Sequence, residues 1–171
     1  MFKREDLERT AISLLKGSNH AAELKDRYRS LEIAVLNRTS HTLELGNRFY
    51  FDSGDFVDAP GDKIKPGQVQ VFSCANIAGS ILQGVTGAVQ YKISGTQSYL
   101  HIGYCNPAAG SYKYFIGTTS DASVQYGYEQ SVDADAETPL VAWQLSFRMS
   151  ARLAAPVHSQ QLMVFTIEHN N

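Results

Sequence analysis

Cysteine is scarce. Cys74 and Cys105 are the only two in 171 residues, too few and too far apart for a disulfide framework or a zinc ligand set, both of which need closely spaced clusters. They read as two buried or half-buried thiols, with a single bridge as the alternative. No run of about 18 apolar residues occurs, so no transmembrane helix is expected. The opening MFKREDLERT is charged where a secretory signal would be apolar, and the chain as it stands reads as soluble. A dominant charge of one sign is also missing: the formal net charge is -2 and the pI about 6.2, which gives no electrostatic reason to expect a nucleic-acid partner. Tryptophan occurs once, at Trp143, within a late strand pattern that places it in the core.

Catalytic signatures are absent too: there is no G-x-S-x-G, H-E-x-x-H, P-loop or G-x-G-x-x-G. The five histidines, His20, His41, His101, His158 and His169, are scattered without ligand spacing and read as structural or exposed. Asp133, Asp135 and Glu137 alternate in the loop SVDADAETP at 131–139. That loop lacks the glycine and late bidentate Glu of an EF-hand, so it reads as a solvated acidic loop. The expectation is a protein that is not an enzyme, uses no cofactor or metal, and works by docking onto a surface.

The residues that are present divide the chain in two: a helical leader at 1–29 and a β-sandwich at 30–171. Over 5–16, Leu7, Ala11, Leu14 and Leu15 recur at helical spacing among charges, which predicts an amphipathic helix. Gly17-Ser18-Asn19 interrupts it, and Ala21, Leu24 and Tyr28 predict a second segment capped at Ser18 or Asn19. From Leu31 the period becomes two. Extended runs are predicted at 31–36, 42–45, 48–52, 68–73, 87–93, 98–104, 112–116, 123–128, 141–149 and 161–168. Turn signals such as Ser53-Gly54, Pro66-Gly67, Ser94-Gly95 and Asn106-Pro107 separate them. Short strands at this spacing with no alternating helices predict an all-β, antiparallel sandwich with an N-terminal helical segment. No fixed-period repeat supports a propeller or solenoid.

Tyrosine rises above background. Of nine, six fall at Tyr99, Tyr104, Tyr112, Tyr114, Tyr126 and Tyr128. An apolar ring with a polar tip suits a lipid–water interface or a sugar face, although strand aromatics also fill cores. The loop NPAAGS at 106–111 opens directly into Tyr112 and Tyr114, which favours an aromatic surface platform.

The order of these blocks resembles the actinoporin-like and aegerolysin-like β-sandwich toxins, a superfamily of small membrane-binding cytolysins. LEIAVLN at 31–37 after a helical leader, followed by FYFDSG at 49–54, is similar to the opening strands of actinoporins. TGAV at 86–89 with YCNP at 104–107 is similar to their central hairpin and proline-bearing loop. NRTSHTL at 37–43 and NPAAGSYKY at 106–114 are similar to the small aegerolysin-like component of a bacterial binary insecticidal toxin.

The resemblance implies a phosphocholine or sphingolipid headgroup pocket at Ser53, Val89, Cys105 (a serine in actinoporins), Pro107, Tyr112, Tyr114, Tyr126 and Tyr128. Tyrosine faces there would hold a quaternary ammonium and hydroxyls would meet the phosphate. It further implies a secreted or released protein that oligomerises on a target membrane and inserts the helix carrying Leu7, Ala11, Leu14 and Leu15. The alternative implied is a non-lytic binding module, either a lipid sensor serving a larger second toxin component or a carbohydrate (glycan) binder. Two departures stand out: the interfacial loop at 110–115 has no tryptophan, and the family's Arg-Gly-Asp tripeptide is missing. A helix over 5–16 is about 18 Å long, against a bilayer core of ~30 Å, and continuing it to Tyr28 gives about 36 Å.

Overall fold

The computed structural model describes residues 2–120 and 123–170. Met1 and Asn171, the outer limits of the expected leader and sandwich, lie outside the described residues, as do Asp121 and Ala122 inside the sandwich. The chain opens with α1 (Arg4–Lys16) and α2 (Ala21–Asp26), then runs through β1 (Ser30–Arg38), β2 (Leu43–Glu44), β3 (Phe49–Ser53), β4 (Asp55–Asp58), β5 (Lys63–Ile64) and β6 (Val69–Ala75). It continues with β7 (Val85–Ile93), β8 (Tyr99–Asn106), β9 (Lys113–Thr119), a single turn α3 (Tyr126–Glu129), β10 (Val132–Asp133), β11 (Leu140–Gln144), β12 (Phe147–Ala154) and β13 (Leu162–His169).

One sheet has the order β11-β12-β13-β1-β6-β4 and the other β10-β9-β8-β7-β2-β5, with β3 also on β7. The expected all-β sandwich is what forms. Alternation sets its core. From the first sheet Ile33, Val35, Phe72, Met149 and Phe165 point inward, and from the second Val85, Val89, Tyr91, Ile102, Tyr104 and Tyr114 meet them. Cys74 sits in this core and both cysteines are free, so the thiol reading holds. Loss of solvation pushes the Cys74 thiol well up from its ordinary pKa.

β1 is buried on both faces, which explains why its sequence is almost continuously apolar rather than strictly alternating. Ile33 and Val35 face the core while Ala34 and Leu36 face outward beneath α1. Leu7, Ala11 and Leu15, one helical face at four-residue spacing, form a seam over Ala34, Leu36, Leu162 and Val164. Each buried leucine there contributes about 1.5–3 kcal/mol. The seam is reinforced by Arg152 to Glu8 at 2.6 Å and by the Arg38 Nε donating to the Phe2 carbonyl at 2.8 Å. Leu14 departs from the expectation: it is exposed, one position off the seam.

Four further expectations are corrected. Residues 123–128 form not a strand but a turn leading into α3, with Glu129 N–H donating to Gln125 O at 2.9 Å. The run 141–149 is a hairpin of β11 and β12, not one strand. Trp143 is 60 % exposed. Leu140 and Ala142 are the β11 residues that pack on the core, so Trp143 has the opposite parity and faces out from the edge strand. The second leader helix starts at Ala21 after His20, with no side-chain cap bond from Ser18 or Asn19 into its first turn.

Candidate functional site

The site lies on the outer face of the second sheet, at the end where β8 stops and β9 starts. Cross-strand register aligns Ser53, Thr86, Cys105, Lys113 and Asp133 in one row over β3, β7, β8, β9 and β10. A bulge between Phe51 and Ser53 adds Asp52 opposite Thr86 and re-aims its carboxylate along the outer face. α3 crosses the same face with its backbone almost on the strands. A Cβ on Gly127 would come within 2.7 Å of the Ile102 carbonyl carbon, and one on Gly103 would overlap the Gly127 carbonyl oxygen. Both positions therefore need the missing side chain of glycine.

The helical turn sends its two tyrosines in different directions, where a strand would have placed them on one side. The Tyr126 ring wedges against His101 at 4.7 Å and Phe115 at 5.8 Å between ring centres. Tyr128 reaches across to β3, its ring 5.3 Å from that of Tyr50. Beside Tyr128 opens a depression of about 430 Å³ lined by Asp52, Thr86, Cys105, Lys113, Tyr128, Glu129 and Ser131.

Its electrostatics are two-sided. Asp52 and Glu129 supply negative charge beside the Tyr50–Tyr128 ring pair, and Lys113 supplies positive charge across the row. The Tyr50 hydroxyl lies 3.5 Å from Asp52 Oδ1. The charge of Asp52, with lesser contributions from desolvation and a hydrogen bond to that carboxylate, raises the Tyr128 pKa. Tyr50 is raised by desolvation first and by Asp52 second. Cys105 is also raised, by burial, with the Thr86 hydroxyl at 3.0 Å and Lys113 pulling the other way. The thiol thus stays protonated near neutral pH and is a poor nucleophile. Aromatic faces with carboxylates suit an organic cation, while an ammonium with the Thr86 hydroxyl suits an anion.

Of the residues the sequence pointed to, Cys105 and Tyr128 line the depression, Ser53 pairs with Thr86 in its row, and Tyr126 braces α3 beside it. Pro107 lies just beyond, its carbonyl held by Arg29 Nε at 3.0 Å. Val89 and Tyr114 are corrected: both point into the core, and Tyr112 packs half-buried against it. The parity of their strands excludes them from the outer face. Asp52, Thr86, Lys113, Glu129 and Ser131 were missed, yet Lys113 stands between two tyrosines whose inward direction forces it outward.

No family model matches this chain, and no curated protein matches its sequence. Among solved structures it is similar to the crystal structure of the lipid binding protein Nakanori, with a TM-score of 0.71 and 14% identity over 96% of this chain and 80% of that one. At that identity the likeness establishes the shared β-sandwich fold.

Proposed function

We propose that this protein binds a zwitterionic lipid headgroup of the phosphocholine type at a membrane surface, and that it acts by binding rather than by catalysis. The observation that carries this reading is the arrangement of the Tyr50–Tyr128 ring pair and Asp52 on one side of a single depression with Lys113 on the other. A quaternary ammonium gains cation–π and coulombic attraction on the first side, and a phosphate meets Lys113 and the Thr86 hydroxyl on the second. The lipid-binding function of Nakanori, which shares the fold, supports the same reading. Co-sedimentation with phosphatidylcholine liposomes, with and without sphingomyelin, tests it. Tyr128→Ala and Lys113→Glu should each weaken sedimentation about tenfold, in keeping with ~1–2 kcal/mol per partly desolvated cation–π or charged contact. Liposome binding untouched by both substitutions, or glycan-array binding in its place, would move the function to another surface.

A second reading adds pore formation by several copies through release of the leader. Two features favour it: α1 is held by one seam of three apolar side chains, and a small void of about 20 Å³ lies beneath it beside Ile12 and Ala154. Against it stands length. The 13 residues of α1 reach only about 20 Å, and among the described residues no helix is long and apolar enough to cross a membrane. Pore formation on this reading requires α1 and α2 to join through 17–20 once released. Deleting residues 1–16, which removes α1 and leaves Arg27, Tyr28 and Arg29 in place, should abolish dye release while sparing sedimentation. Sedimentation of the intact protein without dye release assigns instead a binding module that serves a larger second component.

A further inference from the structure

The loop between β6 and β7 crosses from one sheet to the other and exposes Ile77, Ile81 and Leu82, the latter two at 77 % and 75 %. It is not a slack segment. Buried Asn76 organises it, its Nδ2 donating to Ser80 O at 2.8 Å while its own carbonyl receives Arg27 Nη1 at 2.6 Å and its Oδ1 receives Arg29 N–H at 2.9 Å. Ser80 N–H closes a turn on Ile77 O at 3.0 Å. At its tip Leu82 holds φ +60, a left-handed conformation that a branched, bulky residue adopts only under constraint. The turn leaves two large apolar side chains, Ile81 and Leu82, facing water.

Position gives this loop a partner. Gly84, where it ends, is pressed against the 106–108 backbone: a Cβ there would come within 2.7 Å of Asn106 O. Two residues later Thr86 lines the headgroup depression, as does Cys105 next to Asn106. The apolar tip and the depression therefore share one end of the sandwich. Beside Ile81 stand Tyr28, Asp26 and Arg27, the last paired with Glu23 at 2.6 Å, and the Arg29 guanidinium lies 4.1 Å over the Tyr28 ring. Arg29 gives its donors to the carbonyls of Tyr28, Pro107 and Ala108, and among the described residues no carboxylate pairs with it. Apolar side chains ringed by tyrosine and arginine match the layering of a bilayer, with hydrocarbon inside and anionic phosphates at the headgroup level.

We propose that this loop is the membrane anchor: Ile77, Ile81 and Leu82 enter the hydrocarbon edge of a lipid bilayer while the neighbouring depression holds a headgroup. The proposal rests on the headgroup reading, and its test separates the two. Vesicles of phosphatidylcholine with and without sphingomyelin are the probe, and Ile81→Cys is labelled with nitrobenzoxadiazole, with the parent carried through the same labelling to report any reaction at Cys105, which lines the depression. Bound protein should show a blue-shifted label that doxyl-labelled lipids quench, and Ile81→Ser with Leu82→Ser should lower vesicle affinity about thirty- to a hundredfold. The same double variant should still bind soluble phosphocholine, followed by NMR of the Tyr128 ring. A label that stays unshifted on sedimenting protein overturns the anchor alone. Soluble phosphocholine that binds neither parent nor variant, with the label still shifted, overturns the headgroup site and leaves the anchor standing. A parent that sediments with neither vesicle overturns both.

Discussion

Two tips of this molecule look alike and sit at opposite ends. The β6–β7 loop carries Ile81 and Leu82, and the β11–β12 hairpin carries Trp143 and Leu145, with Leu145 73 % exposed and at φ +56 against φ +60 for Leu82. The register sets them apart. The loop leaves the sheet at Ala75 opposite Ser30, where β1 begins, while the hairpin turns beside His169 and Glu168, the latter opposite Arg38 at the other end of β1. Their surroundings differ as well. The loop adjoins a depression and an unneutralised arginine, whereas at the hairpin Arg148 lies 5.8 Å from the Trp143 ring and is paired with Glu168, which also holds Arg38. Exposed apolar area and a strained leucine do not by themselves define a docking site; a neighbouring polar site of fitting chemistry does.

The largest blow to that comparison is Gly103→Val. Its side chain overlaps α3, so Tyr128 and Glu129 leave the depression, and vesicle affinity should fall at least a hundredfold in co-sedimentation while both apolar tips stay exposed. Trp143 provides a reporter for the other end, because it is the only tryptophan. Its emission should not shift when the parent binds vesicles, and a blue shift would reverse the assignment of the two ends.

Leu82→Gly and Leu145→Gly sharpen the contrast. Each relieves ~1 kcal/mol of left-handed strain and returns roughly half of it through the greater freedom of glycine in the unfolded chain. Both should raise Tm by about 1–2 °C in calorimetry, but only the first should weaken vesicle binding.

A smaller effect concerns pH. Tyr50 and Tyr128 have raised folded pKa values, so the stability they contribute is fully present below about pH 10, the ordinary tyrosine value, and is lost as pH rises through the folded pKa. In Asp52→Asn the leading cause at Tyr128 disappears, and carbon-13 NMR of labelled tyrosine should find Tyr128 titrating at a lower pH. Smallest of all, Trp143→Ser with Leu145→Ser should leave vesicle affinity within about twofold.

The sandwich was legible because core alternation is written directly into runs such as VTGAVQYKI, and the leader because Leu7, Ala11 and Leu15 keep helical spacing. The site was half legible. Aromatic content drew attention to the 112–128 region, but treating Tyr112, Tyr114 and Val89 as one surface ignored strand parity, which sends Tyr114 and Val89 inward and Lys113 and Thr86 outward. α3 was not legible. Residues 123–128 alternate like a strand, and only the close approach of Gly127 to Gly103, a contact 24 positions apart, selects the helical turn. β4 and β5 are two to four residues long and carry too few apolar positions to show a period.

The parallel pairing of β1 with β13 bears on how the chain comes together during synthesis. Glu32 meets Leu162 and Arg38 meets Glu168, so β1 waits for a strand that follows it by 130 positions (162 less 32). Contacts of such sequence separation make folding slow. The seam that receives α1 is built from both strands, Ala34 and Leu36 from the first, Leu162 and Val164 from the last. A ribosome-bound chain therefore carries its amphipathic leader undocked until β13 has emerged, and a truncation that removes β13 should leave that helix free for chaperones or membranes to capture.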